Sequence, residues 1–165
     1  MIRTDITKLE SFNGASYILL PDEKKRRNCI NPKNFNDNKC FLYSFIIGKH
    51  INDIKKHPED ISILKKYEKN IDQSTLNYPV TIDQIEKFEK LNNIPINVYQ
   101  YKKDERMNIL YNHKISSHNK IINMLLIKEN DKSHYIYIKN LNGLWKSGTN
   151  STYLCDKCQQ AFSKQ

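Results

Sequence analysis

The sequence predicts an α+β domain, and two observations support this prediction. Between residues 40 and 92 apolar residues recur at helical spacing, whereas after Pro95 the period shortens towards two and β-branched and aromatic residues dominate. The chain has 165 residues, of which 38% are hydrophobic, which is enough to bury one sizeable core. We therefore expect N-terminal helices to pack on a mostly antiparallel sheet from the C-terminal half.

Three segments of the N-terminal half have the pattern of helices. The segment "CFLYSFIIGKH" (40–50) is apolar on every face, which is typical of a helix that is buried all round. The segment "HPEDISILKKYEKNI" (57–71) repeats apolar residues at helical spacing. The segment "TIDQIEKFEKLNN" (81–93) begins with a capping box, in which Gln84 follows Thr81 by three residues. We expect a helix in each.

The C-terminal half has the pattern of strands and tight turns. Four segments rich in β-branched and aromatic residues predict strands: "INVYQY" (96–101), "NILYNHKI" (108–115), "INMLLIK" (122–128) and "HYIYIKN" (134–140). The polar segment "ENDKS" (129–133) predicts a hairpin turn, and "NLNG" (140–143) predicts a second turn.

The region before residue 40 is less regular. The apolar run "SYILLP" (16–21) predicts a strand or an extended segment. The basic run "DEKKRRN" (22–28) predicts an exposed loop.

The charge of the chain favours anionic partners. Lys and Arg number 27 against 18 Asp and Glu, which gives a net charge of +9 and a pI near 9.3. Such a balance is typical of proteins that bind nucleic acid. The lysines are scattered rather than aligned in one stripe, so a solvated surface is the alternative interpretation.

The sequence predicts an intracellular protein that does not enter a membrane. No apolar run approaches the roughly 20 residues of a membrane span, and "MIRTDITKLESF" lacks the apolar core of a signal peptide. The four cysteines do not have the spacing of a secreted disulfide framework. We expect reduced thiols and a cytoplasmic or nuclear location.

Cys40 stands where a polar run meets the first long helix. The partial positive charge and free N–H groups of a helix N-terminus lower the pKa of a thiol, as a nucleophile requires. Asn36, Asp37 and Asn38 are the candidate N-caps of this helix. An oxyanion hole would consist of the Cys40 backbone N–H and the Asn38 side chain. The alternative is that Cys40 only packs among its apolar neighbours.

A cysteine nucleophile requires a histidine base, which tertiary structure brings close. Of the five histidines, His134 opens an apolar strand directly after a turn. Asn140 shares its face, but six residues of extended chain separate the two by roughly 20 Å. If "NLNG" reverses the chain, Thr149 or Asn150 on a returning strand (144–150) lies opposite His134. Asn150 is the predicted residue that orients the imidazole.

These motifs resemble those of known peptidases. A cysteine on the first long helix and a histidine on a late strand is the arrangement of papain-like cysteine peptidases. "DNKCF" (37–41) resembles the D-G-x-C-hydrophobic motif of OTU deubiquitinases, and "SHYIYI" (133–138) resembles their histidine motif. "HYIYIKNLNGLW" (134–145) is similar to the histidine strand of Josephin-type deubiquitinases, where an Asn on the following strand orients the His. The chain departs from OTU enzymes between Asp37 and Cys40, and at Ile136.

The chain also resembles proteins of mobile elements along nearly its entire length. From "ASYILLP" (15–21) through "DNKCFLYS" (37–44) and "HYIYIKNL" (134–141) to "YLCDKC" (153–158), it is similar to uncharacterised segments of virus-like Maverick or Polinton transposons. There such a region precedes a zinc-finger motif and often a type B DNA polymerase. The resemblance implies an origin in such an element.

The C-terminal tail has the pattern of half a zinc finger. In "YLCDKCQQAF" (153–162), Cys155 and Cys158 have the spacing of the first ligand pair of a two-Cys, two-His finger. The two histidines would follow roughly 12 and 16 residues after Cys158. We expect a peptidase domain over residues 1–152 and a truncated finger over 153–165, which a longer protein would complete with zinc.

The sequence therefore predicts a papain-like cysteine peptidase that needs no cofactor for catalysis. Cys40 attacks the carbonyl, His134 acts as base and then acid, and Asn150 orients it. The resemblance implies ubiquitin or a ubiquitin-like modifier as substrate, cleaved after its C-terminal glycine. The alternatives are a viral-type polyprotein protease and a non-catalytic nucleic-acid-binding module of a transposon replicase. The last is favoured by the charge and by four tyrosines: Tyr99, Tyr101, Tyr135 and Tyr137.

Overall fold

The computed structural model describes residues 17–20, 22–101, 107–145 and 152–163. Its centre is a sheet of five strands: β1 (Cys29–Ile30), β2 (Ile96–Tyr101), β3 (Met107–Tyr111), β4 (Ile122–Glu129) and β5 (Lys132–Ile138). The strand order is β1-β5-β4-β2-β3. β2 and β4 pair in parallel and the other neighbours pair antiparallel, so the sheet is mixed but mostly antiparallel.

Helices surround this sheet. They are α1 (Glu23–Asn28), α2 (Cys40–His50), α3 (Ile61–Leu64) with the 3-10 helix Lys65–Asn70, α4 (Ile82–Asn92) and α5 (Leu141–Trp145). A separate two-stranded hairpin joins β6 (Thr152–Leu154) to β7 (Ala161–Ser163). The α+β prediction is confirmed, and the helices predicted at 40–50 and 81–93 and the four predicted strands are present. The segment 57–71, for which one helix was predicted, forms a four-residue α-helix followed by a 3-10 helix.

The best-formed helix, α4, shows how local sequence fixes its ends. Thr81 is the N-cap, and Gln84 Nε2 donates to its Oγ1 at 2.9 Å, but Thr81 makes no side-chain hydrogen bond to the helix backbone, so the predicted capping box itself does not form. At the other end Asn93 adopts a left-handed conformation with φ of 52°, and its N–H donates to the carbonyls of Glu89 and Lys90. Asn tolerates this conformation better than most residues, so the helix ends there.

The two faces of the sheet carry separate apolar clusters. On one face α2 and α4 pack through edge-to-face rings, with Phe41 5.4 Å from Phe88 and 5.2 Å from Tyr135 between ring centroids. On the other face Leu125 and Ile136 pack with Leu20, Cys29, Leu141, Leu144 and Leu154. Each edge-to-face pair contributes about 0.5–1.5 kcal/mol beyond its buried area. Because α2 is covered on all sides, its sequence is apolar all round.

The basic run 22–28 is a helix rather than the expected exposed loop. Asp22 is its N-cap and accepts a hydrogen bond from the Lys25 N–H at 2.7 Å, and its other carboxylate oxygen pairs with Lys25 Nζ at 2.6 Å. Residues 17–20 belong to no helix or strand. The Asp22 cap offsets the poor helical pattern of this short segment.

The segment "NLNG" does not reverse the chain as predicted. Asn140 Oδ1 accepts a hydrogen bond from the Gly143 N–H at 3.0 Å and thereby starts α5. A Cβ at Gly143 would lie 1.9 Å from Asn28 Oδ1 and 2.5 Å from Asn28 Cγ, so any other residue here would displace the Asn28 side chain. The chain therefore enters a helix where a returning strand was expected.

The hairpin at the C-terminus docks on the main sheet. Leu154 is buried, and its N–H donates to Asn142 Oδ1 at 2.8 Å. Asn97 Nδ2 on β2 donates to the carbonyl of Asp156 at 2.9 Å, and Asn123 Nδ2 on β4 donates to its carboxylate at 3.2 Å.

In the part of the chain that the structure describes, no helix is both long and apolar enough to cross a bilayer.

Candidate active site

The loop before α2 is organised by Asp37. Its Oδ1 accepts a hydrogen bond from the Lys39 N–H at 3.0 Å, and its Oδ2 accepts one from Tyr43 Oη at 2.9 Å. The N-cap is Lys39, whose side chain makes no capping bond, rather than one of the three predicted residues. Asn38, the predicted oxyanion donor, is half-buried in the bend before the helix. As predicted, Cys40 is the first residue of the helix.

Asn34 is a polar residue of this loop that the sequence patterns did not indicate. It is 2% exposed, and its Nδ2 lies 3.2 Å from the carbonyl oxygen of Asp37. Its Oδ1 is buried without a hydrogen-bond partner among the described residues. A buried amide oxygen without a partner costs about 1–3 kcal/mol, and such groups are few in native structures.

Cys40 lies against an open stretch of β5. β1 has two residues and pairs with β5 only as far as Tyr137, so the peptide groups of Tyr135 face α2 instead of a strand. The Cys40 sulfur accepts a hydrogen bond from the Tyr135 N–H at 3.5 Å, and Ser44 Oγ donates to the Tyr135 carbonyl at 3.0 Å. The thiol thus lies beside the peptide bond that joins His134 to Tyr135.

The His134 ring is held by Asn31, which follows β1. His134 is fully buried, and its Nε2 lies 2.7 Å from Asn31 Oδ1. Asn31 Nδ2 donates to the carbonyl of Ile18 at 2.9 Å, which turns the amide oxygen towards the ring. Nε2 therefore carries the proton, and Nδ1 is left with a lone pair. No described residue hydrogen-bonds to Nδ1.

The thiol and the imidazole reach the edge of β5 from its two faces. Tyr135 and Tyr137 pack in the cluster beneath α2, whereas Ile136 packs in the cluster on the opposite face. Because side chains alternate along a strand, His134 lies on the face of Ile136. The structure brings Cys40 and His134 to one peptide unit but does not join them by a hydrogen bond.

Burial controls the charge state of both groups. Burial raises the pKa of the Cys40 thiol to about 12, against the opposing effect of the Tyr135 N–H hydrogen bond. Burial also lowers the pKa of the His134 imidazole to about 4. The expectation that the helix N-terminus lowers the thiol pKa is therefore wrong, because desolvation outweighs the helix dipole. Both groups are neutral at pH 7.

Aromatic rings cover the histidine side of the site. The Tyr17 ring meets the His134 ring edge-on at 5.9 Å between centroids, and the Phe35 ring lies 4.7 Å from the Tyr17 ring. Phe35 is 64% exposed. A cleft of about 250 Å³ opens beside these rings and is lined in part by Tyr17, Asn31, Lys33 and Glu59. Asn31 lines this cleft and contacts His134 Nε2, so the imidazole lies behind one wall of the cleft.

The residue that hydrogen-bonds to His134 in the structure differs from the one that the sequence predicted. Asn150 and Thr149, the predicted orienting residues, lie outside the described residues. Asn140 starts α5 instead of contacting the histidine. Asn31 makes the contact and was missed, because a strand of two residues has no periodicity that reveals which face Asn31 occupies.

The two cysteines of the tail lie in the turn between β6 and β7. Hydrogen bonds from the N–H groups of Cys158 and Lys157 and from the Cys158 thiol lower the pKa of Cys155. Among the described residues, no group of three or more His, Cys, Asp and Glu side chains could hold a metal ion. The cysteine pair can therefore supply two ligands.

The described residues define an α+β protein with a mixed five-stranded sheet and a buried cluster of Cys40, His134 and Asn31. Comparison with protein-family models, with curated proteins and with solved structures finds no match to the chain. The papain-like fold, the peptidase activity, the transposon origin and the zinc ion therefore stay predictions.

Proposed function

We propose that the chain is a papain-like cysteine peptidase in which Cys40 is the nucleophile and His134 the base. One observation carries the proposal: Asn31 fixes the imidazole with a buried Nδ1 lone pair, next to the peptide that holds the Cys40 sulfur. A base oriented by a third group and a thiol at a helix N-terminus are two of the parts that acyl transfer requires, and the hydrogen bond between them would form only after the rearrangement described below.

The proposed reaction has two steps. In the first, the Cys40 S–H proton passes to His134 Nδ1, the sulfur bonds to the substrate carbonyl carbon, and His134 returns the proton to the departing amine. In the second, water attacks the thioester, Nδ1 takes a proton from the water, and the sulfur leaves and regains that proton. The Cys40 N–H and the Asn38 amide stabilise the oxyanion.

The resting arrangement must change before this chemistry starts. With pKa values of about 12 for the thiol and about 4 for the imidazole, proton transfer between them is unfavourable by on the order of 10 kcal/mol. Water or substrate that reaches the site through the cleft reduces this cost. The edge of β5 must also shift relative to α2, because the ring and the thiol occupy different faces of β5 and a side-chain rotation alone does not carry the ring across the strand.

The motif resemblance supports ubiquitin or a ubiquitin-like modifier as the substrate, within the cytoplasm or nucleus. A ubiquitin carrying a C-terminal electrophile tests this. We expect it to label wild type and not Cys40→Ala, while Cys29→Ser, which changes another buried thiol on the opposite sheet face, still labels. The absence of Cys40 labelling in the folded chain would reject the deubiquitinase assignment.

A polyprotein protease would use the same cysteine on a different substrate. A general peptide electrophile that modifies Cys40, together with no reaction with the ubiquitin probe, would support that alternative. Loss of this labelling in His134→Gln distinguishes catalysis from simple thiol exposure. If neither electrophile modifies Cys40, the peptidase proposal fails.

Tyr17 is expected to limit access to the site. Tyr17→Ala removes the ring that covers His134, so we expect it to increase the rate of probe labelling several-fold. Leu19→Ala is the matched control, because Leu19 is a large apolar side chain of the same segment that is already 66% exposed. An equal effect of the two substitutions would contradict a specific role for Tyr17.

The nucleic-acid-binding alternative loses part of its support. Of the four tyrosines that favoured it, Tyr99, Tyr135 and Tyr137 are buried, so their rings cannot stack on bases. The net charge of +9 remains. Binding to single-stranded DNA that weakens steeply with salt, in a protein that no electrophile labels at Cys40, would favour this alternative.

A further inference from the structure

A polar cleft of about 520 Å³ opens where the two parallel strands begin. Pro95, which precedes β2, and Ile121, which precedes β4, belong to its wall. The loop that joins β3 to β4 forms one side, and the turn between β6 and β7 forms the other. Its volume is typical of small-molecule sites. Neither Cys40 nor His134 lines it, so a ligand here would bind independently of the proposed peptidase chemistry.

Asn97 of β2 fixes both sides of this cleft. It is fully buried, and its Nδ2 donates to the carbonyl of Asp156 in the turn at 2.9 Å. Its Oδ1 accepts hydrogen bonds from the His113 N–H at 3.0 Å and from His113 Nδ1 at 2.9 Å. Because Nδ1 carries the proton in this contact, Nε2 is the ring nitrogen that can contact a ligand. One buried side chain thus holds the loop and the turn at a fixed separation.

Further hydrogen bonds fix the loop that joins β3 to β4. Ser117 Oγ donates to the carbonyl of Asn93 at 3.2 Å, and Asn119 Nδ2 donates to the same carbonyl at 2.7 Å. Ser116 and His118 line the cleft beside these two residues. A hydroxyl and an imidazole on a fixed loop are groups that can hydrogen-bond to the oxygens of an anion.

The wall of the cleft has a net positive charge. Lys120 lines it from the loop and Lys157 from the turn, and both side chains are exposed. Lys120 Nζ donates to Tyr137 Oη at 3.3 Å. Among the described residues that line the cleft, Asp156 is the one acidic side chain, and its carboxylate accepts a hydrogen bond from Asn123 Nδ2 at 3.2 Å. Two ammonium groups against one carboxylate favour an anionic ligand.

We propose that this cleft binds a small phosphomonoester, such as a nucleoside monophosphate, with its phosphate between Lys120 and Lys157. Such a phosphate carries roughly two negative charges at pH 7 and three strong acceptor oxygens. These match one ammonium group from each side of the cleft and the donors beside them. The cleft is larger than a phosphate group fills, and Pro95, Ile115 and Ile121 supply an apolar wall for the organic part of the ligand.

The test measures binding to the 165-residue chain in a chloride buffer without phosphate or sulfate. The probes are inorganic phosphate and adenosine 5′-monophosphate, and at least one of them should bind saturably by isothermal titration calorimetry. Adenosine, which lacks the phosphate, should bind more weakly than the nucleotide by about tenfold or more. On addition of the bound probe, amide NMR signals of residues 113–121 and 156–157 should shift, whereas that of Cys40 should not.

Lys120→Gln and Lys157→Gln should each weaken binding by about tenfold, because each removes a charge-assisted contact with the phosphate. Both side chains are exposed, so both variants should fold. Lys66→Gln is the matched control, because it removes the same charge from an exposed position that does not line the cleft. Its affinity should stay within about twofold of wild type, since solvent ions screen distant surface charges.

Three outcomes would overturn the proposal. A folded chain that binds neither phosphate nor the nucleotide would reject an anion site. Equal weakening in all three lysine variants would show that the net charge of the chain, rather than this cleft, attracts the probe. Adenosine that binds as tightly as its monophosphate would show that the phosphate is not recognised. None of these outcomes bears on electrophile labelling at Cys40, so the two proposals fail separately.

Discussion

At the scale of single residues, Asn31 and His134 are the pair on which the candidate site depends. They are 103 positions apart in the sequence, and the 2.7 Å contact between them sets which imidazole nitrogen carries the proton. The fixed tautomer leaves Nδ1 with the lone pair that the proposed base requires. Both predictions at this scale follow from that contact and from the burial of the ring.

Asn31→Ala is expected to lower the rate of probe labelling at Cys40 by about tenfold or more, because the imidazole loses the group that holds its tautomer and orientation. The variant should fold, since Asn31 is only half-buried. Asn140→Ala is the matched control, because Asn140 starts α5 and does not contact His134. The pH profile of labelling should change in Asn31→Ala alone.

His134 should make stability depend on pH. Burial lowers its folded-state pKa to about 4, below the ordinary value of 6.5, so the unfolded chain binds more protons between these values. The contribution of His134 to the free energy of unfolding should therefore be greatest above pH 6.5. This free energy should fall by about 3 kcal/mol as the pH drops to about 4. Urea unfolding of wild type and His134→Gln at several pH values measures this.

The control for that measurement is His57→Gln, because His57 has a side chain that is 72% exposed. It should keep the pH dependence of wild type, whereas His134→Gln should flatten it. A wild-type stability that stays constant from pH 6.5 to pH 4 would be inconsistent with a buried neutral imidazole.

At the scale of elements, the close contact of α2 with the sheet places Cys40. A Cβ at Gly48 would lie 2.8 Å from Ile122 Cγ2 and 2.9 Å from Tyr137 Cε2. The last turns of α2 can therefore lie on β4 and β5 only because residue 48 has no side chain. This contact and the Ser44 bond to β5 hold the helix so that its first residue meets the strand edge.

Gly48→Ala is expected to destabilise the protein by about 1–3 kcal/mol, because the added methyl group overpacks the interface. Alanine has a higher helix propensity than glycine, so the loss of stability from overpacking must exceed the gain from helix propensity. Lys49→Ala, at the exposed neighbouring position, should change the free energy of unfolding by less than about 0.5 kcal/mol. Thermal or urea unfolding of both variants decides the point.

At the scale of the whole molecule, Glu89 joins the helical half to the sheet. It is fully buried near the end of α4, and its Oε2 accepts a hydrogen bond from the Ile96 N–H at 3.0 Å. Its Oε1 accepts hydrogen bonds from Tyr111 Oη at 2.7 Å and from the Lys114 N–H at 2.5 Å. One carboxylate thus connects α4 with the start of β2 and the end of β3.

Glu89→Gln is expected to lower the free energy of unfolding by about 3 kcal/mol. An amide has one accepting oxygen, and its NH₂ group would face a donor, so at least one buried donor is left without a partner. Glu86→Gln is the matched control on the same helix, because its pair with Lys90 is solvent-exposed and should contribute less than about 1 kcal/mol. Similar losses in the two variants would contradict the connecting role of Glu89.

The sequence by itself determined the features that depend on local pattern. The helical period over 81–92, the turn at Asn130 and the alternation of β5 are all properties of neighbouring residues, and Cys40 begins α2 because a polar loop meets an apolar helix there. Hydrophobic periodicity is sufficient for such assignments.

Only the tertiary structure decided which groups meet and how they ionise. The pairing of β1 with β5 brings Asn31 to His134. Because β1 has only two residues, its sequence has no periodicity from which this long-range pairing could be predicted. The packing of α2 raises the thiol pKa, although the helix N-terminus alone would lower it. Desolvation depends on everything that surrounds a group in space, so no local pattern of residues predicts it.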